Sequence, residues 1–257
     1  MNAWDFLLWV AFPYAAAAVF VVGHLLRFRY DQFGWTSRSS QTYENRLLRW
    51  GSPMFHYGML MVIGGHVVGL FIPKAWLEFF GVTEHIYHLG ATWLGTFAAV
   101  LTVAGLGILI YRRRLNGRVL LVTTVMDKVM YVLLGGTILF GTTATVLYQI
   151  FGGGYDYRGS ISPWIRSLYG FQPDPALMSD VPFFFQLHVL CATTLFLLWP
   201  FTRLVHVFSA PLGYLVRPYV VYRSRDHHTG NSARKVPRGW ERSQRPVARR
   251  DRERIRR

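Results

Sequence analysis

Four histidines of this chain sit inside strongly apolar sequence. His56 and His66 fall within "MFHYGMLMVIGGH", and His188 and His206 within "QLHVLCATTLFLLWPFTRLVH". An ionisable side chain held in hydrocarbon is costly, so it faces a bundle interior, a cavity or a cofactor. Imidazole does two kinds of chemistry in such a place: it relays protons, or it ligates a metal through a ring nitrogen. A disulfide scaffold and a cysteine-held iron–sulfur cluster are excluded, because Cys191 is the only cysteine. The chain also lacks a C-x-x-C-H haem-attachment motif, a dinucleotide fingerprint and a metalloprotease motif.

The elements that carry these histidines follow from hydropathy. Five apolar stretches, near residues 4–26, 53–72, 86–110, 129–151 and 181–201, are long enough to cross a hydrocarbon core, which needs about 20 helical residues. Backbone polar groups in lipid must be satisfied internally, and long apolar runs without alternation do this as helices. The fifth stretch is expected to continue as helix through Arg203 and His206 to about Phe208. The first is expected to be retained rather than cleaved, since it has no basic residue before Arg27. The loop over 152–180 is punctuated by glycine and proline, and its segment "SPWIRSLYGF" is expected to form a short amphipathic helix lying in the membrane interface.

Charge gives direction. The 257 residues are 52% hydrophobic and only 16% charged, yet carry a net charge of +15. A soluble nucleic-acid binder would carry far more charge, so no nucleic-acid partner is expected. Of the 28 basic residues, fourteen fall in 209–257, and Arg27, Arg29, Arg38, Arg46, Arg49, Arg112, Arg113, Arg114 and Arg118 lie in two connections on the same side. The opposite side has Lys74, Arg158 and Arg166 beside Glu78, Glu84, Asp156, Asp174 and Asp180. The positive-inside rule predicts an N-terminus outside and a C-terminus in the cytoplasm. The expected organisation is a transmembrane domain over 1–225, with membrane lipid as a partner, and a basic cytoplasmic tail over 226–257 that could bind soluble partner subunits or anionic lipid.

Depth then pairs the histidines. The second span runs inside to outside, with His66 about 15 Å beyond His56 by helical rise. The fifth runs back, so the cross-helix pairs are His66 with His188 and His56 with His206. Two imidazoles facing across a planar apolar space suit the axial ligation of a b haem, and two pairs imply two haems. One mismatch stands in the spacing. His188 and His206 lie about 27 Å apart along an unbroken helix, against about 15 Å for the other pair. Pro200 lies between them and is a candidate kink.

Other residues carry weaker signals. Gly58, Gly64, Gly65 and Gly69 leave room beside the second-span histidines, or permit close helix packing. Tyr111, Arg112 and Arg203 lie at the cytoplasmic edge, where the propionates of an inner haem would emerge. Glu84, His85 and His88 cluster at the outer mouth of the third span, where a carboxylate or imidazole can accept the protons a quinol sheds with its electrons. His24 reads as a polar interface residue, Asp127 and Lys128 as interface anchors, and His227 and His228 as tail. On residues alone, a haem-free transporter or structural anchor with a histidine proton relay stays open beside the cytochrome reading.

The stretches "FPYAAAAVFVVGHLLRFRYDQFGWTSRSSQ", "SPMFHYGMLMVIGGHVVGL" and "FQLHVLCATTLFLLWPFTRLVHVFSAPLGYLVRPY" resemble the gamma subunit, the cytochrome b membrane anchor, of respiratory nitrate reductase. The resemblance implies an all-α integral membrane protein of the cell inner (cytoplasmic) membrane, a five-helix bundle holding two b haems. His66 and His188 would ligate the outer haem iron, and His56 and His206 the inner. Quinol, either menaquinol or ubiquinol, would be oxidised near the outer haem with protons released outside. Electrons would pass inward to an iron–sulfur beta subunit and a molybdenum-cofactor catalytic alpha subunit that reduces nitrate to nitrite. The family's quinol pocket can include a lysine near the start of the third helix; the stretch "GVTEHIYH" has none. A dihaem quinone-linked anchor of another reductase is the nearest alternative.

Overall fold

The computed structural model describes residues 3–35, 39–209 and Val216. Arg38 and the tail over 226–257, with His227 and His228, lie outside the described residues. The architecture is all-α, with no strand among the described residues. Among the described residues, five helices are long and apolar enough to cross a membrane: α1 (Ala3–Tyr30), α2 (Leu48–Phe71), α4 (Glu84–Leu115), α6 (Val125–Ile150) and α8 (Phe183–Phe201). Short helices fill the connections: α3 (Lys74–Phe79), α5 (Gly117–Leu121) and α7 (Ile161–Tyr169).

Helix ends are set by local side chains. Thr83 accepts from the backbone N–H of Ile86 at the start of α4, and Asn116 accepts from Arg118 and Val119 at the start of α5. Thr124 and Asp127 form a reciprocal capping box at the start of α6, satisfying donors that the first helical turn leaves unpaired. Inside the bundle the helices pair. The most extensive packing is α2 on α4 and α6 on α8, with α1 against α8. The first pair is close because of glycine: a Cβ on Gly105 would lie 2.4 Å from the Phe55 backbone nitrogen, and one on Gly58 would lie 2.5 Å from Thr102 Oγ1. At Gly58 the close-packing reading of the glycines therefore holds.

The fifth span departs from expectation. Its regular α-helix stops at Leu198, the next turn is 3-10 over Trp199–Phe201, Thr202 is extended (φ −103°, ψ 176°), and a separate 3-10 segment runs over Arg203–Ser209. Proline at 200 has no N–H to give and its ring crowds the preceding turn, so an α-helix does not continue through it. Carbonyls exposed by the break find a donor: Arg27 Nη1, from α1, reaches Pro200 O and Thr202 O at 2.5 and 3.0 Å. The break is held from outside the helix.

The helix expected within 152–180 forms as α7, but its apolar face meets protein. Ile161 and Trp164 are buried with Trp9, Met178 and Val181, Trp164 Nε1 donates to Trp9 O at 2.9 Å, and Ser162 Oγ donates to Leu70 O at 2.7 Å. This segment caps the end of the bundle beside His66.

Candidate haem-ligand pairs and their surroundings

The α2 and α8 backbones do not pack extensively on each other; one imidazole pair joins α2 to α8, and a second joins α2 to the 3-10 segment Arg203–Ser209. The His66 and His188 rings stand 5.8 Å apart between centroids, with 35° between planes. The His56 and His206 rings stand 6.1 Å apart, at 70°. A metal–imidazole nitrogen bond is about 2.0 Å, and with a ring radius near 1.2 Å two coaxial ligands of one ion have centroids about 6.4 Å apart. Both pairs are close to that separation, with no other side chain of the chain needed between them.

All four rings are oriented the same way. Nδ1 of His56, His66, His188 and His206 lies 2.7, 2.7, 2.8 and 2.7 Å from the carbonyl oxygens of Ser52, Val62, Thr137 and Arg203. A carbonyl only accepts, so each Nδ1 carries the proton and each Nε2 presents its lone pair. This is how metal-ligating imidazoles are commonly fixed. Three of the carbonyls belong to the preceding turn of the same segment; that of Thr137 comes from α6. Gly141, one turn beyond Thr137, gives His188 its place, for a Cβ there would lie 2.8 Å from the imidazole Cε1 and Nδ1. Directly after His66, α2 loosens into a π-turn over Val67–Phe71, a feature frequent at functional sites. Among the described residues, no three His, Cys, Asp or Glu gather as a metal centre. A haem iron needs only two protein ligands, because the macrocycle supplies the rest, so the donor set fits that group.

Two of the three residues expected near propionates, Arg112 and Arg203, make contacts within the chain. Arg112 is 2% exposed. Its guanidinium donates to Glu44 Oε2, Glu44 O, Ser40 Oγ and Ser40 O, clamping the α1–α2 connection. The Glu44 carboxyl is held below its usual range: burial pushes it up, but the Leu47 N–H, Arg112 and the Leu48 N–H together outweigh that. Arg203 makes a bidentate pair with Asp127, Nε to Oδ1 and Nη2 to Oδ2. Asp127 is therefore no solvated anchor; it is buried and tied to the segment that carries His206. Tyr111 is exposed. His24 packs among the rings of Phe20, Trp35 and Phe208.

At the His66 end, Glu84, His85 and His88 do not form one cluster. Glu84 pairs with Lys74 at 2.8 Å and Arg158 at 3.3 Å. His88 Nε2 meets Gln149 Oε1 at 2.8 Å, and His85 is exposed. Gln149 in turn donates to Tyr155 O, across a turn where Gly154 (φ +90°) lies so close to His88 that a Cβ would touch it. A lysine does reach this mouth, from α3 rather than α4. Lys74 bridges Glu84 and Asp156, each at 2.8 Å. Burial lowers the ammonium pKa, but the two carboxylates raise it further, so the net shift is upward. Beside them Tyr87 and Tyr157 share a 2.7 Å hydroxyl contact, with the Arg158 guanidinium 4.2 Å over the Tyr87 ring. Burial first, then the Tyr87 hydroxyl, pushes the Tyr157 phenol upward, so it stays protonated. Sequence reasoning missed Lys74, Tyr157, Gly141 and Arg27, because each acts across long sequence separation.

The family described as "Nitrate reductase gamma subunit" matches residues 5–225. The "Nitrate reductase gamma chain" of Bacillus subtilis (strain 168) is 44% identical over 219 residues, covering 85% of this chain and 98% of that protein. The "Respiratory nitrate reductase 2 gamma chain" of Escherichia coli (strain K12) is 34% identical over 215 residues, 83% of this chain and 94% of that one. "Nitrate reductase-like protein NarX" of Mycobacterium tuberculosis (strain ATCC 25618 / H37Rv) is 51% identical over 235 residues, 91% of this chain but 36% of that protein. The chain spans about a third of the length of that relative. The chain belongs to the nitrate reductase gamma subunit family.

Proposed function

We propose that this chain is the quinol-oxidising, dihaem cytochrome b subunit of a respiratory nitrate reductase. The observation that carries the reading is the doubled histidine pair between α2 and the fifth span with the segment after it, with every Nδ1 on a carbonyl and ring separations of 5.8 and 6.1 Å. His66 and His188 would hold one haem and His56 and His206 the other. When bound, the two haems supply one-electron carriers between the two ends of the bundle.

The positive-inside bias puts the His66 end outside and the His56 end at the cytoplasm. Quinol oxidation gives quinone, two electrons and two protons. At the outer mouth Glu84 and His88 are the candidate proton acceptors, with His85 exposed beside them, and Lys74 fixes the Glu84 carboxylate. At the cytoplasmic end the partners would be the iron–sulfur beta and molybdenum-cofactor alpha subunits, where nitrate becomes nitrite.

Purification of the intact complex from its membrane tests this directly, with haem, iron and molybdenum measured per chain. The expected result is two b haems per chain in the reduced-minus-oxidised spectrum, co-purifying with a molybdenum subunit that reduces nitrate. Changing His66 or His188 to alanine should remove one haem and leave the other. A spectrum without a b-type cytochrome would sink the reading.

A further inference from the structure

The His206 segment has no regular helix to hold it, so its position has to come from other contacts. Its ring stands on the Arg203 carbonyl, Nδ1 to O at 2.7 Å. The Arg203 side chain is gripped by both carboxylate oxygens of Asp127 on α6. Asp127 itself is fixed, since Oδ2 accepts from the Thr124 N–H at 2.9 Å and Thr124 Oγ1 accepts from the Asp127 N–H at 3.1 Å. The pair is buried, with side-chain exposures of 11% for Arg203 and 5% for Asp127. A planar guanidinium gripped at two points cannot rotate without breaking a bond, so the residue's backbone is set in direction as well as distance. On the other flank, Arg27 ties down the carbonyls of Pro200 and Thr202. The two arginines bracket the break, and His206 is three residues beyond the second.

We infer that Asp127 is a positioning residue for the inner haem: through its two-point grip on Arg203 it sets the carbonyl that orients the His206 imidazole. This rests on the dihaem reading above. His188 has no such dependence, because its carbonyl partner is Thr137 in the middle of α6. The inference therefore predicts an effect on one haem only. Second-shell partners of metal-bound imidazoles are worth about 10- to 100-fold in affinity, and an effect of that order is expected when Asp127 loses its side chain. Its isosteric amide, which keeps the cap and one hydrogen bond to Arg203, should retain the haem with an altered ligand field.

The test uses the whole complex carrying Asp127→Asn, Asp127→Ala or Arg113→Leu. Haem per chain, the low-spin electron paramagnetic resonance signal of each haem and its midpoint potential are measured. Each signal is assigned by its absence in His56→Ala or His66→Ala. Asp127→Asn should shift the signal and potential of the haem that His56→Ala removes, leaving the other haem as in wild type. Asp127→Ala should lose that haem about tenfold or more. Arg113 bonds Tyr131 and Thr123 near the same end without touching the His206 segment, and its loss should change neither haem signal. Wild-type signals in Asp127→Ala would overturn the inference, as would equal damage to both haems or the same shift in Arg113→Leu. Wild-type complex without b haem would overturn the dihaem reading itself, before any variant is compared.

Discussion

Replacing Gly141 by alanine probes the His66 end from behind its ligand. A Cβ at this position would come 2.8 Å from both Cε1 and Nδ1 of His188. The ring cannot simply step aside, because Nδ1 is bonded at 2.8 Å to Thr137 O, one turn back on the helix the methyl would project from. Reaching even a 3.4 Å contact requires a displacement of 0.6 Å, the difference between 3.4 and 2.8 Å. That movement either breaks the Thr137 bond or drives the imidazole towards His66, whose ring is already at 5.8 Å. Two effects compete. Alanine favours the helix over glycine by about 0.8–1.0 kcal/mol. A loosened second-shell bond costs about 10- to 100-fold in ligand affinity, or about 1.4–2.8 kcal/mol. The helix should therefore still form while the outer haem is lost or weakly held. Haem per chain and a potentiometric titration of the purified complex read this out. Gly107→Ala, at an exposed helical glycine with nothing within 4 Å of its added Cβ, should keep both haems. Two haems with wild-type potentials in Gly141→Ala would refute the reasoning.

Two further outcomes concern the loops. The Lys74 pKa is raised in the folded chain, so its pairs with Glu84 and Asp156 stabilise fully below pH 10.5 and weaken as pH rises through the higher folded value. The thermal midpoint of the solubilised protein should fall across that alkaline window in wild type and stay flatter in Lys74→Met; parallel curves would count against the cluster. The Glu44 pKa is lowered, so its contribution is complete above pH 4.5 and is lost as pH falls through the lower folded value. Arg112→Leu should cost about 3–5 kcal/mol, as removal of one partner of a buried pair does, and should flatten that acid limb. A thermal midpoint equal to wild type at neutral pH would contradict it.

Much of the bundle was legible because a membrane span is apolar on every face, whether a side chain meets lipid or protein. The five spans are each found near their expected place, and α4 only extends beyond its apolar part, as Glu84–Leu115. Histidines stand out in such runs because so few ionisable groups are tolerated there. What the pattern could not reveal was where a polar group goes once it leaves the span. Arg112 and Arg203 read as residues near the propionates of an inner haem, since depth along a span gives a level in the membrane and is blind to partners. In the fold, Arg112 turns onto Ser40 and Glu44, 72 and 68 residues away, and Arg203 onto Asp127, 76 residues away. The helix α7 shows the same limit from the apolar side. Its amphipathic face is plain in "SPWIRSLYGF", but lipid and a protein core are equally apolar, so the sequence alone does not say which one Trp164 meets.

The spacing of the histidines shows why the two halves of the site need different supports. Along α2, ten residues separate His56 from His66, about 15 Å of helix. From His188, the regular part of α8 runs the same ten residues and stops at Leu198. Had the helix continued, His206 would have been carried about 27 Å from His188, well past the level of His56. Proline 200 ends the helix where the depth is already matched, and the 3-10 segment Arg203–Ser209 then presents His206 to His56 at 6.1 Å. A break of this kind sacrifices backbone hydrogen bonds in an apolar setting, where they are hard to replace. Arg27 replaces them at Pro200 and Thr202, and Asp127 anchors the segment beyond. The outer pair needs none of this, since both its histidines stand on regular helix. The Arg27 and Asp127–Arg203 ties stand beside His206 because only its pair is built across a broken span. On this argument, straightening α8 by Pro200→Ala would not strengthen the site. It would restore the helix and move His206 out of reach of His56, so one haem should be lost while the fold gains helix.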